Sequence, residues 1–452
     1  MADASPRRLT VATKVIYSLG DHTVNVFLTA MTMLYINFLT DVVHFPIALA
    51  GAIPLVGRFV DAITDPLMGR ISDHTRWRWG RRRPYMLIGC VPFGVSFALL
   101  WINPPFAGQT ADFIYYTSVY VLLSIFSTVV TVPYMALIPE MARNYDERTS
   151  LNTYRAAAGL LGVFVTLSMS ALARSLGGDA RGWFEAAMIV GVWLIVPWFA
   201  VHRVTWERPR AAYQTRRIGE SLRLVARHRT YMHLCAIYIP GRIAIDLVSA
   251  MFIFYVAWVI GRREDFELTM AAFLTVVILS LPFWLYLSKR FDKRSVMIAG
   301  LLWWMFAQFI LFFGDADWPR WSVFLVAGFA GVGYAVADIM PWAMLPDVID
   351  EDELKTGERR EGLYSGMFTF LRKIGGAVAI FLMGLALSAA GYDGEAPEQS
   401  AGAINAIRIL MALVPIVFLG LTAWIARTYP LSREVHHAIL TELARREEGA
   451  GI

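Results

Sequence analysis

Three charged residues lie within one largely apolar stretch, GRFVDAITDPLMGR, at residues 57–70. Asp61 and Asp65 are four residues apart and Arg58 precedes Asp61 by three, so a helix places all three side chains on one face. An ionised aspartate at the centre of a membrane helix costs about 2.5–3.5 kcal/mol. Because one arginine neutralises only one of the two carboxylates, one negative charge is left. The pattern predicts that a proton or a small cation binds here.

The residue types around this charge suit a monovalent cation. Na⁺ prefers hard oxygen ligands, which Asp61 and Asp65 provide, and Thr64 on the same helix adds a hydroxyl. The alternative is a structural ion-pair cluster that holds helices together. The cation site is the stronger interpretation, since intramembrane acids usually face cavities or partners.

Other polar residues interrupt the apolar segments. Arg242 and Asp246 are one helical turn apart, and they either neutralise each other or belong to a site. Lys373 has no acidic neighbour in its own segment, so we expect its partner on another helix or in a ligand. The remaining polar residues within apolar segments are Asp21, His22, Asn25, Thr128, Thr131, Arg155, Asp338 and Arg372.

Composition places the chain in a membrane. Of 452 residues, 57% are hydrophobic and 17% charged, and the mean hydropathy is +0.51, a profile far from that of soluble domains. The two cysteines indicate neither a disulfide framework nor a metal site, and we expect no cofactor. The scattered histidines argue against a membrane enzyme. The net charge of +5 fits basic loops beside anionic lipid and not nucleic acid.

A membrane helix needs about 20 mostly apolar residues, and twelve segments qualify. They are residues 14–39, 46–71, 84–102, 112–139, 150–173, 183–202, 231–260, 267–288, 295–313, 320–345, 362–390 and 403–427. The fold class is therefore all-α and polytopic, with twelve transmembrane helices.

The loops between these spans alternate in basic content. HTRWRWGRRRP follows span 2 and KRFDKR follows span 8, whereas the linkers TDVVHF and NPPFAGQTA contain no Lys or Arg. Basic loops stay in the cytoplasm, so we expect both termini there and the chain in the cell inner membrane.

The long basic stretch 203–230 divides the chain. We predict a six-helix bundle over 1–202, a cytoplasmic linker over 203–230, a second bundle over 231–428 and a cytoplasmic tail over 429–452. Spans 2 and 8 both end in an acidic residue with a basic cluster. Two six-helix halves related by pseudo-symmetry are typical of secondary transporters.

Several long motifs resemble one family. DAITDPLMGRISDHTRWRWGRRRPYMLIG, VPYMALIPEM, DERTSLNTYR and MPWAMLPDVIDEDELKTGERREGLYSGMFTFLRKIGG occur in the family's order. Over essentially its whole length the chain resembles the glycoside–pentoside–hexuronide:cation symporters, the melibiose-permease-like members of the major facilitator superfamily. The resemblance implies that entry of Na⁺, H⁺ or Li⁺ is coupled to uptake of a solute by alternating access.

The resemblance also implies roles for individual residues. The family's cation site corresponds to Asp61, Thr64, Asp65 and Thr128. Its solute-binding arginines and lysine correspond to Arg58, Arg155 and Lys373. The gating motif after span 2 corresponds to Asp73 with Arg81 and Arg82.

The solute-binding positions depart from the melibiose branch. Its two sugar-binding acids align with Asn25 and Thr131, and two of its aromatic residues align with Met135 and Asp338. Melibiose is therefore not the expected solute. Asn25 and Thr131 still offer hydrogen bonds to a glycoside, and Arg155 with Lys373 suits an acidic sugar.

We expect a cation-coupled symporter of a sugar, glycoside or hexuronide that works as a monomer. Animal sodium-dependent lysophospholipid symporters share the span 10 motif, which keeps an amphiphile open as the alternative solute. A sensor without transport activity is a further possibility.

Overall fold

The chain is almost entirely helical in a computed structural model that describes residues 9–105, 108–142, 145–207, 227–357 and 360–449. These residues contain no β-strand. The long helices are α1 Val11–Val42, α2 Ile47–His74, α3 Arg83–Leu99, α4 Gln109–Ala136, α5 Tyr145–Ser175, α6 Ala180–Val204, α7 Arg229–Val259, α8 Phe266–Arg290, α9 Lys293–Phe312, α10 Arg320–Thr356, α11 Glu361–Ala389, α12 Ala401–Ala426 and α13 Arg433–Gly449.

Eleven helices of the described residues are long and apolar enough to cross a membrane, and α3 is a shorter apolar helix. Span 3, predicted to reach residue 102, ends at Leu99. Asn103-Pro104-Pro105 follows, and a residue before proline is disfavoured in helical conformation. The all-α polytopic architecture predicted from the sequence is confirmed.

Two further helices differ from the predicted spans. Helix α4 ends at Ala136, and a separate turn, Ile138–Met141, follows it. Helix α10 continues eleven residues past the predicted end, to Thr356, where Gly357 adopts a φ of +71°. A glycine in this left-handed conformation is a common helix terminator. The extension carries acidic residues of the DVIDEDE motif beyond the apolar segment.

Wider, π-helical turns interrupt three of the long helices. In α1 these turns are Ala30–Leu34 and Phe38–Val42, and in α7 the turn is Tyr255–Val259. Helix α12 has a similar turn at Ile409–Leu413. The apolar pattern alone predicts uninterrupted spans and does not show these turns.

Contacts divide the chain into two compact units. Unit 1 comprises Met1–Tyr213 with Asp393–Ala396, and unit 2 comprises Gln214–Tyr392 with Pro397–Ile452. Most of the linker predicted over 203–230 lies outside the described residues. The division into bundles 1–202 and 231–428 with a tail from 429 stays a prediction.

Close helix contacts hold unit 1 together. Helix α1 packs along α5, α2 along α4, and α3 between α4 and α6. At the α3–α6 crossing Gly94 faces Gly191, and a Cβ atom added to Gly94 would lie 2.4 Å from the Gly191 carbonyl oxygen. Small residues at such crossings allow membrane helices to approach closely.

Candidate functional site

The charged residues Arg58, Asp61 and Asp65 of α2 lie on a different face of the helix from its exposed apolar residues. Asp61 is buried, whereas the apolar residues on either side, Phe59 and Ile63, are 67% and 70% exposed. Arg58 Nη1 donates to Asp61 Oδ2 at 2.9 Å. Spacing alone therefore correctly placed Arg58 and Asp61 on one face, and the contact neutralises one of the two carboxylates.

The second carboxylate is held by α4. Thr128 Oγ1 donates to Asp65 Oδ1 at 2.6 Å, across the helix pair that carries both residues. The Thr64 hydroxyl donates to Val60 O at 3.0 Å, which leaves the lone pairs of its oxygen available to a ligand. Asp61, Thr64 and Asp65 on α2 and Thr128 on α4 thus provide carboxylate and hydroxyl oxygens on two packed helices.

This set of donors suits a small, singly charged ion. Within the described residues, no group of three or more His, Cys, Asp and Glu side chains has an arrangement that could hold a metal ion. Asp61, Asp65 and Arg58 together carry a formal charge of −1. Carboxylate and hydroxyl oxygens are the hard donors that Na⁺ prefers.

Asp21 and Arg155 form a second ion pair, between α1 and α5. Both Arg155 Nε and Nη2 donate to Asp21, the latter at 3.0 Å. Tyr134 of α4 also donates to Asp21, at 2.8 Å. The sequence analysis noted Asp21 as an intramembrane polar residue but did not pair it with Arg155. The sequence did show an acidic residue within span 1 and a basic residue within span 5, and buried charges in a membrane usually pair.

Asn25 and Thr131, the proposed solute contacts of unit 1, lie in different settings. Asn25 packs against Gly159 of α5 and donates to Asp21 O at 2.9 Å. The Thr131 hydroxyl is buried and has no hydrogen-bond partner among the described residues. An orphaned buried hydroxyl costs free energy that a solute hydroxyl could recover.

Unit 2 contains a corresponding cluster of one arginine and two acids. Arg242 donates to both carboxylate oxygens of Asp246, with Nε at 2.7 Å, and Nη1 contacts Asp338 at 3.2 Å. The Asp246 side chain is buried, whereas that of Asp338 is 41% exposed. Arg242 and Asp246 therefore do pair, and Asp338 is the accessible acid of the cluster.

Helix α11 covers this cluster with two glycines. Gly375 lies against Arg242 and Gly376 against Asp246. Arg372 and Lys373 come just before these glycines on the same helix. The close approach that a missing Cβ allows therefore brings the middle of α11, which carries Arg372 and Lys373, against Arg242 and Asp246.

The predicted gating residues belong to a larger group, which we call the gating cluster: Asp73, Arg81, Arg82, Glu140 and Glu207. Arg82 Nε donates to Asp73 at 3.0 Å, and Arg81 and Arg82 both donate to Glu140, at 2.6 and 2.7 Å. Glu207 accepts from the backbone N–H groups of residues 81–83, where α3 begins. A carboxylate is favourable at a helix N-terminus.

Glu140 and Glu207 were not predicted as gating residues. Glu140 lies within VPYMALIPEM, a motif that the sequence analysis used only for the resemblance. A single sequence gives no sign that Glu207, more than 120 residues from Arg81, completes the cluster.

Unit 2 has a similar contact at the start of α9. Lys293 Nζ donates to Ala343 O and to Asp347 Oδ1, at 2.8 and 2.7 Å. In unit 1, Arg82 binds Ala136 O and Glu140. In both units a basic residue at the start of one helix binds a carbonyl and the carboxylate four residues later.

Helix α13 adds to the unit 2 contact. Its His436 Nε2 lies 3.0 Å from Asp350 and 3.6 Å from Asp347. The backbone N–H of Arg433 donates to Asp292 at 2.8 Å, and Arg446 donates to Leu354 O. Helix α13, which lies in the tail predicted over 429–452, is thus fixed to the end of α8, the start of α9 and the last turns of α10.

Comparisons with known proteins agree with this architecture. Residues 16–433 match the family model of MFS/sugar transport proteins. The chain is 31% identical to the isoprimeverose transporter of Lactiplantibacillus pentosus, over 90% of this chain and 86% of that protein. It is 26% identical to the sodium-dependent lysophosphatidylcholine symporter 1-A of Danio rerio, over 98% and 90% of the two chains.

Solved structures share the fold. A bacterial homologue of the human lysosomal transporter Spinster, in an inward-facing and occupied conformation, superposes with a TM-score of 0.70 at 14% identity, over 93% of this chain and 95% of that chain. At such identity the likeness concerns the fold alone. With the family match over most of the chain, we conclude that the protein is a multi-pass membrane protein of the MFS/sugar transport protein family, related to glycoside–pentoside–hexuronide:cation symporters.

Proposed function

We propose that the protein is a cation-coupled symporter that imports a sugar or glycoside, including hexuronides, by alternating access. The observation that carries this proposal is the oxygen cluster of Asp61, Asp65 and Thr128, which brings two carboxylates and a hydroxyl together within apolar helices. Na⁺ is the proposed coupling ion, with H⁺ and Li⁺ as alternatives. The relatives support symport, since several of them are named as symporters.

The proposed roles are those that the resemblance implies. Asp61, Asp65, Thr64 and Thr128 bind the cation. Asn25, Arg58, Thr131, Arg155, Asp338 and Lys373 serve the solute. Asp73, Arg81 and Arg82 control the conformational cycle. We propose a monomer in the cell inner membrane with both termini in the cytoplasm.

A second candidate solute is an amphiphile such as a lysophospholipid. The relatives in Danio rerio and Gallus gallus, both named sodium-dependent lysophosphatidylcholine symporters, support it. The isoprimeverose transporter supports a sugar instead, at a somewhat higher identity of 31%. We favour the sugar, because the orphaned Thr131 hydroxyl and the Asn25 amide offer hydrogen bonds to hydroxyl groups.

A thermal-shift panel tests both the solute and the ion. The purified protein is heated with neutral glycosides, hexuronides, melibiose or lysophosphatidylcholine, each with and without Na⁺. A ligand that binds only the folded state raises the Tm. We expect stabilisation by a glycoside that depends on Na⁺, and none by melibiose. Stabilisation by the lysolipid alone would favour the amphiphile.

Uptake into proteoliposomes tests the cation site directly. We expect Asp61→Asn and Asp65→Asn each to abolish cation-stimulated uptake. Asp112→Asn, which removes a carboxylate from the first turn of α4, is the matched control and should retain it. Undiminished stimulation in both site variants would exclude the proposed cation site.

A further inference from the structure

The guanidinium of Arg155 makes four contacts within unit 1. Nε and Nη2 donate to Asp21, Nη1 donates to Asn152 Oδ1 at 2.7 Å, and Nη2 also contacts the Met135 sulfur. The side chains of Arg155 and Asp21 are only 13% and 10% exposed. Because Asp21 neutralises the Arg155 guanidinium, the ion pair has no net charge that would attract an anionic solute.

Asp21 is fixed in place from a second side. The Tyr134 hydroxyl donates to the same oxygen that Arg155 Nε contacts. Tyr134 in turn stacks on Tyr17, with ring centroids 4.4 Å apart, and Tyr17 donates to Tyr134 O at 2.7 Å. The carboxylate is therefore held by α1, α4 and α5 together, and it does not depend on a solute to be oriented.

Arg58 of α2 is also paired. Its Nη1 atom lies 2.9 Å from Asp61 Oδ2. Like Arg155, Arg58 is therefore already neutralised by a carboxylate of unit 1, and neither guanidinium needs an acidic sugar as its partner.

We propose that Asp21 determines the charge selectivity of the transporter by neutralising Arg155, and that the solute is an uncharged glycoside. This inference rests on the proposed function and narrows it, because it excludes hexuronides as the preferred solutes. Asp21 acts through Arg155 and is a positioning residue.

Asp21→Asn should allow an acidic sugar to bind Arg155. The substitution leaves Arg155 as a buried guanidinium without its carboxylate, which is costly. A guanidinium binds a planar carboxylate through two parallel hydrogen bonds. The C6 carboxylate of a uronide can therefore replace the lost partner, whereas the hydroxymethyl group of a neutral glycoside cannot.

The test compares uptake of methyl glucoside and methyl glucuronide, which differ only at C6, into proteoliposomes of the full chain. We expect the wild type to prefer the neutral glycoside. Asp21→Asn should shift the ratio toward the uronide by about tenfold or more, the effect of one charge-assisted hydrogen bond. Asp21→Glu keeps the charge and should keep the wild-type preference.

Two further variants assign the effect to Arg155. The double variant Asp21→Asn with Arg155→Gln removes both charges, and it should lose the uronide uptake that Asp21→Asn gains. This loss would show that the uronide binds Arg155 and not Lys373. Glu185→Gln breaks a surface pair in which Arg181 is 84% exposed, and it should leave the ratio unchanged.

The outcomes separate this inference from the function on which it rests. A wild type that prefers the uronide overturns the inference while it supports sugar symport. An equal ratio in Asp21→Asn and the double variant also overturns it. If neither sugar, nor any glycoside of the thermal-shift panel, is bound or transported, the proposed function itself fails. If Asp21→Asn does not fold, the inference is tested by the uptake ratio of the wild type and of the double variant, which leaves no buried arginine without a partner.

Discussion

Thr128→Val removes one hydroxyl from the proposed cation site and changes little else. The two side chains have the same shape, and α4 keeps its helical hydrogen bonds. The structure assigns one clear partner to this hydroxyl, since Thr128 Oγ1 lies 2.6 Å from Asp65 Oδ1. The side chain of Thr128 is buried, so water does not readily replace the lost group.

The expected size of the effect follows from that contact. A hydrogen bond to a charged group contributes about 1.5–3 kcal/mol, and every 1.4 kcal/mol is a tenfold change in an equilibrium constant. The hydroxyl both orients Asp65 and offers an oxygen to the ion. We therefore expect Thr128→Val to weaken Na⁺ binding by about 10-fold to about 150-fold.

Na⁺-dependent uptake and Na⁺-dependent thermal stabilisation measure this change independently. Both are recorded over a range of Na⁺ concentrations, and the half-maximal concentration should rise for Thr128→Val. The matched control is Thr117→Val, eleven residues earlier on α4. Its hydroxyl is also buried but has no hydrogen-bond partner among the described residues, and it lies about 16 Å away along the helix.

Thr128→Val and Thr117→Val should differ in their Na⁺ dependence. Thr117→Val should match the wild type in its Na⁺ dependence. If Thr128→Val also matches the wild type while the protein remains folded and active, then Asp65 and Thr128 do not form the ion site. Equal losses in both variants would instead indicate a general effect of valine on α4.

Three further substitutions probe the surrounding structure. Glu140→Gln removes the carboxylate shared by the two arginines of the gating cluster; we expect slower uptake and a lower Tm at unchanged Na⁺ affinity, and wild-type uptake would argue against a gating role. His436→Ala detaches α13 from Asp350 and should speed proteolysis of the tail, whereas His437→Ala on the adjacent exposed position should not; equal cleavage would refute the contact. Gly94→Val forces a side chain toward Gly191 and should destabilise unit 1 by about 1–3 kcal/mol, as overpacking typically does; an unchanged Tm would contradict the close approach of α3 and α6.

Features that lie within a single helix could be predicted from the sequence. Apolar length predicted the spans, and helical spacing predicted that Arg58 meets Asp61 and that Arg242 can meet Asp246. These pairs are three or four residues apart, so the geometry of a single helix determines them. The family motifs added Thr128, which spacing on α2 alone could not supply.

Contacts between helices could not be predicted in the same way. Arg155 and Asp21 are 134 residues apart, and Arg81 and Glu140 are 59 residues apart. A single sequence shows that a buried charge needs a partner, but it does not show which one. The resemblance implies a solute-binding role for Arg155, and the structure adds the contact with Asp21 that a single sequence does not show.

The arrangement repeated in the two units gives these contacts a common physical basis. Arg82 and Lys293 each stand at the start of a helix and bind a carbonyl together with a carboxylate four residues later. Four residues make about one helical turn, so such a carbonyl and carboxylate lie side by side on α10 in unit 2, and at the end of α4 and on the turn that follows it in unit 1. A basic side chain that binds both therefore links the start of one helix to a neighbouring helical segment. What differs is the third partner, which is Glu207 in unit 1 and α13 with His436 in unit 2.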